Sequence, residues 1–198
     1  ANDVSLVLGE SGAEPRIDVL ETAVEMPWSG HMGTHAIPEI YDQLRDAGTT
    51  IVFVNTRAQA EIIFQELWRM NEDDLRIALH HGSLAPEQRR KVEAAMARGD
   101  LDAVVATSSL DLGVDWAAVD LVLQVGAPKG STRLLQRVGR SNHRLDSPSR
   151  AVLVPANRFE VLECRAAVDA VRARTLDGLP ARPGGLDVLA QHILGTAC

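Results

Sequence analysis

Two arginines in the segment QRVGRSNHR (136–144) could bind a chain of phosphates. Arg137 and Arg140 are three positions apart, and on a helix residues at this spacing project from one face. A guanidinium group offers a planar fork of N–H donors to phosphate oxygens, and charge grows on the γ-phosphoryl oxygens during phosphoryl transfer. The pair therefore predicts a contact with a nucleoside triphosphate. A solvated basic helix end, which is common in proteins, is the alternative interpretation.

The charge of the chain is distributed unevenly. The 198 residues carry a formal net charge of −7, which argues against a protein that coats nucleic acid through a broad basic surface. The stretch from Lys129 to Arg158 nevertheless contains seven Lys or Arg and a single acidic residue, Asp146. Any contact with a polyanion is therefore expected to be local.

Short apolar runs alternate with helical patterns along the chain. Several of the apolar runs contain almost no polar residue, which is typical of strands covered on both faces. Strands separated by helices form a parallel sheet wrapped on both sides, and the loops at the carboxyl ends of its strands are expected to carry the functional segments. The predicted strands are 16–24, 50–55, 75–80, 101–106, 119–125 and 150–154. The predicted helices are 57–70, capped by Thr56, then 86–98, 133–140 and 158–174.

Several other chemistries find no support in the sequence. No apolar run approaches the roughly 18 residues needed to cross a bilayer, and no signal-peptide pattern is present, so a cytoplasmic location without membrane contact is expected. Cys164 and Cys198 form no CxxC pattern, and His31 and His35 lack a third ligand, so no metal site is predicted. Cys164 is expected to lie in a helix core. The segment GAPKGST (126–132) does not match GxxxxGK[ST] and predicts no phosphate-binding loop.

Four segments occur in an order that resembles a known family. QRVGRSNHR resembles motif VI of superfamily-two helicases, whose general form is QRxGRxGR. VVATSSLDLGVD (104–115) resembles motif V, IVFVNTR (51–57) resembles motif IV, and HHGSL (80–84) resembles the strand-end motif that follows it. MPWSGHMGTH (26–35) and PSRAVLVPANRFEVLEC (148–164) are similar to the large helicase-related (Lhr) family, in its DNA-ligase-associated branch. The resemblance extends from about Glu25 to Cys198.

The resemblance implies a fold and a domain organisation. The fold is α/β, a RecA-like three-layer domain with a mostly parallel sheet covered by helices on both faces. Residues 1–176 would form the helicase C-terminal, second RecA-like, lobe. Residues 177–198 would form a linker and the first helix of a truncated winged-helix domain. The cofactor would be ATP with Mg²⁺. This chain has neither a Walker A lysine nor a DExH acidic pair, so the metal would be held by a first RecA-like lobe, either upstream in the intact protein, which is preferred, or in a partner chain.

The same resemblance implies a catalytic and nucleotide-binding set in motifs V and VI. Arg140 would be the arginine finger, and Arg137 with Gln136 would bridge ATP to the neighbouring motifs. His143 stands where the general pattern has its final arginine, which leaves open whether His143 or Arg144 makes the second phosphate contact. The motif V residues implied to face the nucleotide and its ribose are Gly113 and Asp115.

A second implied set would hold single-stranded DNA or a DNA/RNA hybrid. Hydroxyl and backbone N–H groups at strand ends can bind phosphate oxygens, and contacts to the backbone predict little sequence preference. Ordinary turn chemistry or helix capping is the alternative for each residue taken singly; their order along the chain favours nucleic-acid binding. The implied residues are Asn55, Thr56, Arg57, Gly82, Ser83, Thr107 and Ser108.

The resulting functional hypothesis is the second motor lobe of an ATP-dependent 3′-to-5′ single-stranded DNA translocase or helicase, inactive as a fragment. A non-motor nucleic-acid-binding or interaction module with a helicase-lobe fold is the alternative, and a P-loop-type phosphotransferase ranks last. The motor hypothesis requires the guanidinium groups of Arg137 and Arg140 to reach a triphosphate on another lobe. Side chains directed away from the carboxyl edge of the sheet, or engaged in internal ion pairs, would count against it.

Overall fold

The computed structural model describes residues 13–30, 32–111, 119–141, 148–178 and 186–197. All six predicted strands are present, although the first ends at Val19 instead of Val24. The strands are β1 (Arg16–Val19), β2 (Thr50–Phe53), β3 (Ile77–His80), β4 (Ala103–Ala106), β5 (Leu121–Val125) and β6 (Arg150–Val154). The helices are α1 (Ile37–Asp46), α2 (Arg57–Met70), α3 (Pro86–Ala97), α4 (Ser131–Val138), α5 (Arg158–Arg172) and α6 (Leu186–Ala197).

The six strands form one sheet in the order β1-β6-β5-β2-β4-β3. Every pairing between neighbours is parallel. The carboxyl ends of all six strands therefore lie at one edge of the sheet, hereafter the carboxyl edge. This arrangement confirms the predicted parallel sheet and places the segments after β2, β4 and β3 side by side.

Helices cover both faces of the sheet, as predicted. On one face α1 and α2 pack against the sheet through fully buried side chains such as Ile40 and Ile63. On the other face α4 and α5 pack with Met96 of α3, and Cys164 of α5 is completely buried there. Each large aliphatic side chain buried in this way contributes about 1.5–3 kcal/mol. Burial also raises the pKa of the Cys164 thiol to about 12, so the expected helix-core position of this residue is confirmed.

Side-chain caps set two helix starts at the carboxyl edge. The Thr56 hydroxyl accepts a hydrogen bond from the Gln59 amide at 3.1 Å, as predicted. Asn157 caps α5 in the same manner, because its Oδ1 accepts from the amides of Phe159 and Glu160 at 3.0 and 3.1 Å. Such caps satisfy amides that the first helical turn leaves without partners. They fix where the chain turns from β2 into α2 and from β6 into α5.

Helix α4 begins and ends two residues earlier than predicted, at 131–138 instead of 133–140, and this corrects the geometry expected for the two arginines. The helix ends at Val138, Gly139 follows as its cap, and Arg140 lies beyond the helix. The prediction that Arg137 and Arg140 project from one helical face is therefore wrong. The chain then reaches Ser141, whose hydroxyl accepts from the amide of Arg150, the first residue of β6. Ser141 therefore lies near the starts of the strands, and not at the carboxyl edge where the functional segments are expected.

Two properties of the described part of the chain bear on its environment. None of its helices combines the length and the apolar character required to cross a membrane. Within the same residues, no group of three or more His, Cys, Asp or Glu side chains could hold a metal ion.

Helix α6 occurs where the sequence predicts it, with Leu189 and Ile193 more than half exposed.

Candidate nucleotide and nucleic-acid site

The carboxyl edge brings together three of the predicted nucleic-acid-binding segments. They follow β2, β4 and β3, which are neighbours in the sheet. Arg57 Nη1 donates to Ser83 Oγ at 3.1 Å, which joins the segment after β2 to the segment after β3. The amide of Thr107 donates to the carbonyl oxygen of His80 at 3.3 Å, which joins the segments after β4 and β3. The side chains or backbone exposed along this row belong to Thr56, Arg57, Gly82, Ser83 and Ser108.

Asn55 has an internal role. Its Nδ2 donates to the carbonyl oxygen of Ala127 at 2.9 Å, and its amide donates to Gln59 Oε1 at 2.9 Å. Gly126 lies against it with φ +83°, and a Cβ at that position would approach Asn55 Nδ2 to 2.8 Å, so only glycine fits both the backbone and the space. Asn55 thus ties the loop after β2 to the loop after β5. Ordinary turn chemistry accounts for these contacts of Asn55, and its binding of nucleic acid stays a prediction.

A buried histidine supports the motif V segment from below. His80 is 1 % exposed; its Nε2 lies 3.0 Å from Glu93 Oε1 and its Nδ1 lies 2.8 Å from Ser109 Oγ. An ionised carboxylate only accepts hydrogen bonds, so Nε2 donates to Glu93, while the Ser109 hydroxyl contacts both Nδ1 and the His80 carbonyl oxygen, the latter at 3.2 Å. Thr107 Oγ1 in turn donates to Ser109 Oγ at 3.4 Å. The series Glu93–His80–Ser109–Thr107 therefore fixes the turn that carries Thr107 and Ser108, and Thr107 does not act through its hydroxyl as a helix cap.

The protonation of His80 has a predictable effect on stability. Burial lowers the pKa of His80 below its usual 6.5, and the hydrogen bond to Glu93 only partly opposes this. As the pH falls below about 6.5, the unfolded chain binds a proton that the folded chain does not, so the free energy of unfolding decreases by up to about 1.4 kcal/mol per pH unit. In urea titrations between pH 7.5 and 5.5, His80→Gln is expected to show a smaller loss.

His35→Gln serves as a comparison for this measurement. Burial lowers the pKa of His35 as well, so this variant is also expected to reduce the loss of stability at low pH. If the two sites act independently, the double variant shows the sum of both reductions in pH dependence. Superimposable pH profiles of the wild type and His80→Gln would contradict the assignment of His80 as a buried neutral imidazole.

Arg137 is buried in a polar cluster between the sheet and α4. It is 2 % exposed, its Nε donates to Asp111 Oδ1 at 2.9 Å, and its Nη1 donates to Gln124 Oε1 at 2.5 Å. Its guanidinium carbon also lies 4.6 Å from the centre of the Phe53 ring. Buried charges are tolerated when they are paired and hydrogen-bonded, as here. Arg137 is therefore engaged in an internal ion pair, which is the arrangement that counts against its direct contact with a triphosphate.

The hydrogen bonds of this cluster extend to the carboxyl edge. Gln124 is completely buried in β5, and its Nε2 lies within hydrogen-bond distance of the Gly126 carbonyl oxygen, 3.1 Å, and of Asn55 Oδ1, 3.5 Å. A continuous path of polar contacts thus runs from Arg137 of motif VI through Gln124 to Asn55 of motif IV.

Asp111 is the centre of the site. Its carboxylate pairs with Arg137, and Arg133 Nε lies 3.9 Å from its Oδ2. Arg140 Nη2 donates to its carbonyl oxygen at 2.6 Å. Asp111 directly follows the short 3-10 turn Ser108–Leu110 of motif V. Three guanidinium groups from the motif VI region therefore meet one residue that borders the proposed strand contacts.

The remaining predicted nucleotide-binding residues are only partly described. Gln136 is exposed on α4. Gly113, Asp115 and His143 lie outside the described residues, as does Arg144. Of the predicted arginine pair, Arg140 is the one that is partly exposed.

Sequence reasoning missed the residues that organise the site. Asp111 belongs to the quoted motif V segment but was assigned no role there, and Gln124 was not singled out. The available signal was a polar residue inside the apolar strand LVLQV, because a buried polar group in a covered strand requires a partner. His80 and Ser109 gave a weaker signal, since both adjoin residues already assigned to phosphate contacts.

The sheet and the arrangement of the four motifs define a RecA-like helicase lobe. The helicase conserved C-terminal domain matches residues 34–144, more than half of the chain, and the chain belongs to this family. The named relatives to which the chain is similar include several helicases of the Lhr type.

Three relatives illustrate this similarity. The chain is 37 % identical over 161 residues to the ATP-dependent helicase Lhr-Core of Methanothermobacter thermautotrophicus, covering 80 % of this chain and 19 % of that protein. It is 46 % identical over 118 residues to the Lhr helicase/probable uracil glycosylase of Mycolicibacterium smegmatis, covering 60 % and 8 %. The solved structure of the Mycobacterium smegmatis helicase Lhr, bound to single-stranded DNA and AMP-PNP, superimposes with a TM-score of 0.82 at 34 % identity, covering 95 % and 25 %. The chain thus spans about a fifth or less of these two curated relatives.

Proposed function

We propose that this chain is the second motor lobe of an ATP-dependent 3′-to-5′ single-stranded DNA translocase or helicase. The observation that carries the proposal is the row of segments after β2, β4 and β3 along the carboxyl edge, together with the motif V turn that leads from this row to Asp111 and its contact with Arg140. A first RecA-like lobe upstream would hold ATP and Mg²⁺, and a winged-helix domain would continue after α6. In this proposal residues 1–176 are the lobe and residues 177–198 the connection to that domain.

Arg140 is proposed to act as the arginine finger. Its guanidinium donates to the neutral carbonyl oxygen of Asp111 at 2.6 Å. The γ-phosphate of ATP on the facing lobe is a charged acceptor that a guanidinium fork can also bind through two parallel hydrogen bonds, and in this proposal Arg140 moves to it when the cleft closes. Arg137 acts as a positioning residue, since its buried ion pair holds Asp111 in place. The other residues proposed to face the nucleotide are Gln136, Gly113, Asp115 and His143.

The strand grip is proposed to lie on the carboxyl edge. Ser108, Thr56, Arg57 and Ser83 expose hydroxyl and guanidinium groups that can donate to phosphate oxygens. Asp111 joins this grip to the finger, because its carbonyl contacts Arg140 and its amide donates to the Ser108 carbonyl oxygen at 3.1 Å. Movement of Arg140 onto ATP would therefore shift the turn that bears Ser108. Repeated closure and opening of the cleft would move the grip along one strand.

Similarity to named helicases supports the choice of substrate. The Mycobacterium smegmatis Lhr structure contains single-stranded DNA and AMP-PNP, and the Methanothermobacter thermautotrophicus relative is named an ATP-dependent helicase. The proposed grip touches phosphates, so a DNA/RNA hybrid is also a compatible duplex, with DNA as the tracked strand. The 3′-to-5′ direction follows from the resemblance to the Lhr family.

The proposal is tested by comparing this chain with the longer protein that includes the first lobe. Only the longer protein is expected to hydrolyse ATP, with stimulation by single-stranded DNA, because the two halves of the site lie on different lobes. It is also expected to unwind duplexes with a 3′ single-stranded tail and not those with a 5′ tail. Tight DNA binding without ATP turnover in the longer protein would instead indicate a non-motor binding module.

A further inference from the structure

An exposed aromatic group lies at the β6 end of the carboxyl edge, in segments to which no binding role has been assigned so far. Trp28 is 65 % exposed and Phe159 is 63 % exposed, and their ring centres are 6.4 Å apart. The guanidinium carbon of Arg158 lies 4.3 Å from the centre of the Trp28 ring. These three side chains are hereafter the aromatic platform. Large exposed aromatic groups commonly mark interaction sites.

The platform is held rigidly by the backbone beneath it. The amide and Nε of Arg158 donate to the carbonyl oxygens of Pro27 and Met26 at 3.0 and 3.1 Å, and its Nη2 pairs with Glu25. Asn157, which caps α5, also donates to the carbonyl oxygen of Gly30 at 2.6 Å. The segment that carries Trp28 is therefore fastened to the start of α5. A ring held in this way loses little conformational freedom when a ligand stacks on it.

The same segment places the platform in line with the proposed strand grip. After Gly30 the chain crosses the carboxyl edge, where Gly33 packs against Val125 at the end of β5 and the Met32 carbonyl oxygen accepts from Gln59 Nε2 at 3.5 Å. With strands about 4.8 Å apart, the β6 end lies about 10 Å from the segment after β2 and about 19 Å from the segment after β3. At the stacked rise of about 3.4 Å per nucleotide, this corresponds to roughly three to six nucleotides.

We propose that Trp28 and Phe159 stack on bases of the single strand whose phosphates bind farther along the carboxyl edge. The inference rests on the proposed function and adds a base contact to it. Aromatic side chains bind any base through its π face, and a guanidinium group behind the ring reinforces such stacking. Arg158 covers one face of Trp28, and the exposure of Trp28 leaves the other face accessible. The strand would thus be held by its phosphates over β2, β4 and β3 and by its bases over β6.

The chain provides a matched control at the opposite edge of the sheet. Trp68 is 59 % exposed and its ring lies 5.9 Å from that of Phe64. It belongs to the last turn of α2, which leads to the start of β3 and so lies away from the carboxyl edge. Trp28 and Trp68 therefore share residue type, exposure and an aromatic neighbour, and differ in position.

The test uses the full-length protein and a fluorescently labelled DNA oligonucleotide. Trp28→Ala is expected to raise the Kd for single-stranded DNA about tenfold, whereas Trp28→Phe keeps a ring and retains most of the affinity. The dependence of Kd on salt should not change, because no phosphate contact is removed. Trp68→Ala is expected to behave as the wild type.

An abasic scan identifies the contact directly. With the wild type, removal of one base at a defined position along the oligonucleotide is expected to weaken binding about tenfold. Trp28→Ala should show no such penalty at that position. Equal abasic profiles for both proteins, or wild-type affinity of Trp28→Ala, would overturn the inference. So would protection of Trp28 from iodide quenching in the DNA-free protein, since that would show the platform covered by another domain.

These outcomes separate the inference from the function on which it rests. If the wild type neither hydrolyses ATP nor binds single-stranded DNA, both the proposed motor function and the base-stacking inference are refuted. If the wild type hydrolyses ATP and binds DNA normally, and Trp28→Ala binds DNA with the same Kd, only the base-stacking inference is refuted.

Discussion

Replacement of Arg140 by Ala in the full-length protein is expected to lower ATP turnover about 10³-fold or more, with the affinity for single-stranded DNA nearly unchanged. An arginine finger stabilises charge on the transferred phosphoryl group, and effects of this size are typical of its loss. The proposed DNA contacts lie on the carboxyl edge, whereas Arg140 follows the end of α4. Steady-state ATP hydrolysis at saturating DNA and a separate binding titration would measure the two effects.

Two further variants sharpen this expectation. Arg140→Lys keeps the charge but loses the planar fork, so its turnover should remain far below that of the wild type. Arg69→Ala removes an exposed arginine from the last turn of α2, where it pairs with Glu66, and is expected to leave turnover intact. Unchanged hydrolysis in Arg140→Ala would defeat the finger assignment.

Replacement of Arg137 by Ala is expected to destabilise the folded chain by about 3–5 kcal/mol. The variant leaves the Asp111 carboxylate, which is 10 % exposed, without its main partner, and an uncompensated buried charge carries a cost of this order. The Oε1 atom of Gln124 would also lose the guanidinium donor from which it accepts a hydrogen bond. Urea unfolding of the 198-residue chain, with the midpoint followed by circular dichroism, measures the change.

A surface pair serves as the reference for this measurement. Arg98 and Asp100 lie 2.6 Å apart with both side chains more than half exposed, so Arg98→Ala should cost no more than about 1 kcal/mol. Removal of both charges in Arg137→Met with Asp111→Ala is expected to cost less than the sum of the single changes, because neither charge is left buried alone. A loss for Arg137→Ala as small as that for Arg98→Ala would show that the pair is not a buried structural contact.

The strands and the row of strand-end segments could be predicted because local pattern decides them. Residues 50–55 and 101–106 are almost wholly apolar, and the observed strands β2 and β4 fall inside these runs. The rule that parallel strands share one carboxyl edge then places Thr56, Ser83 and Ser108 on the same side of the sheet. For β1 the pattern failed after Val19, because strand pairing with β6 stops there and residues 20–30 leave the sheet to reach α5.

The state of the two arginines could not be predicted, because distant contacts decide it. The helical spacing predicts that the side chain of Arg137 is exposed. Its partners are instead Asp111, 26 positions earlier, and Gln124 on a neighbouring strand. The end of α4 at Val138 separates Arg140 from that helix. Similarity to other helicases indicates the family without indicating which guanidinium group is available to a ligand.

The pairing of β1 with β6 has a consequence for biosynthesis. Arg16 is the partner of Arg150, so the first strand emerges from the ribosome long before β6, its neighbour in the sheet of described residues. At about 5–20 residues per second, the intervening chain takes roughly 7 to 27 s to make. During that interval the nascent lobe exposes the apolar side chain of Ile17 and the unpaired edge of β5, both of which are buried in the finished protein. Closure of this sheet during synthesis therefore has to wait for the last strand.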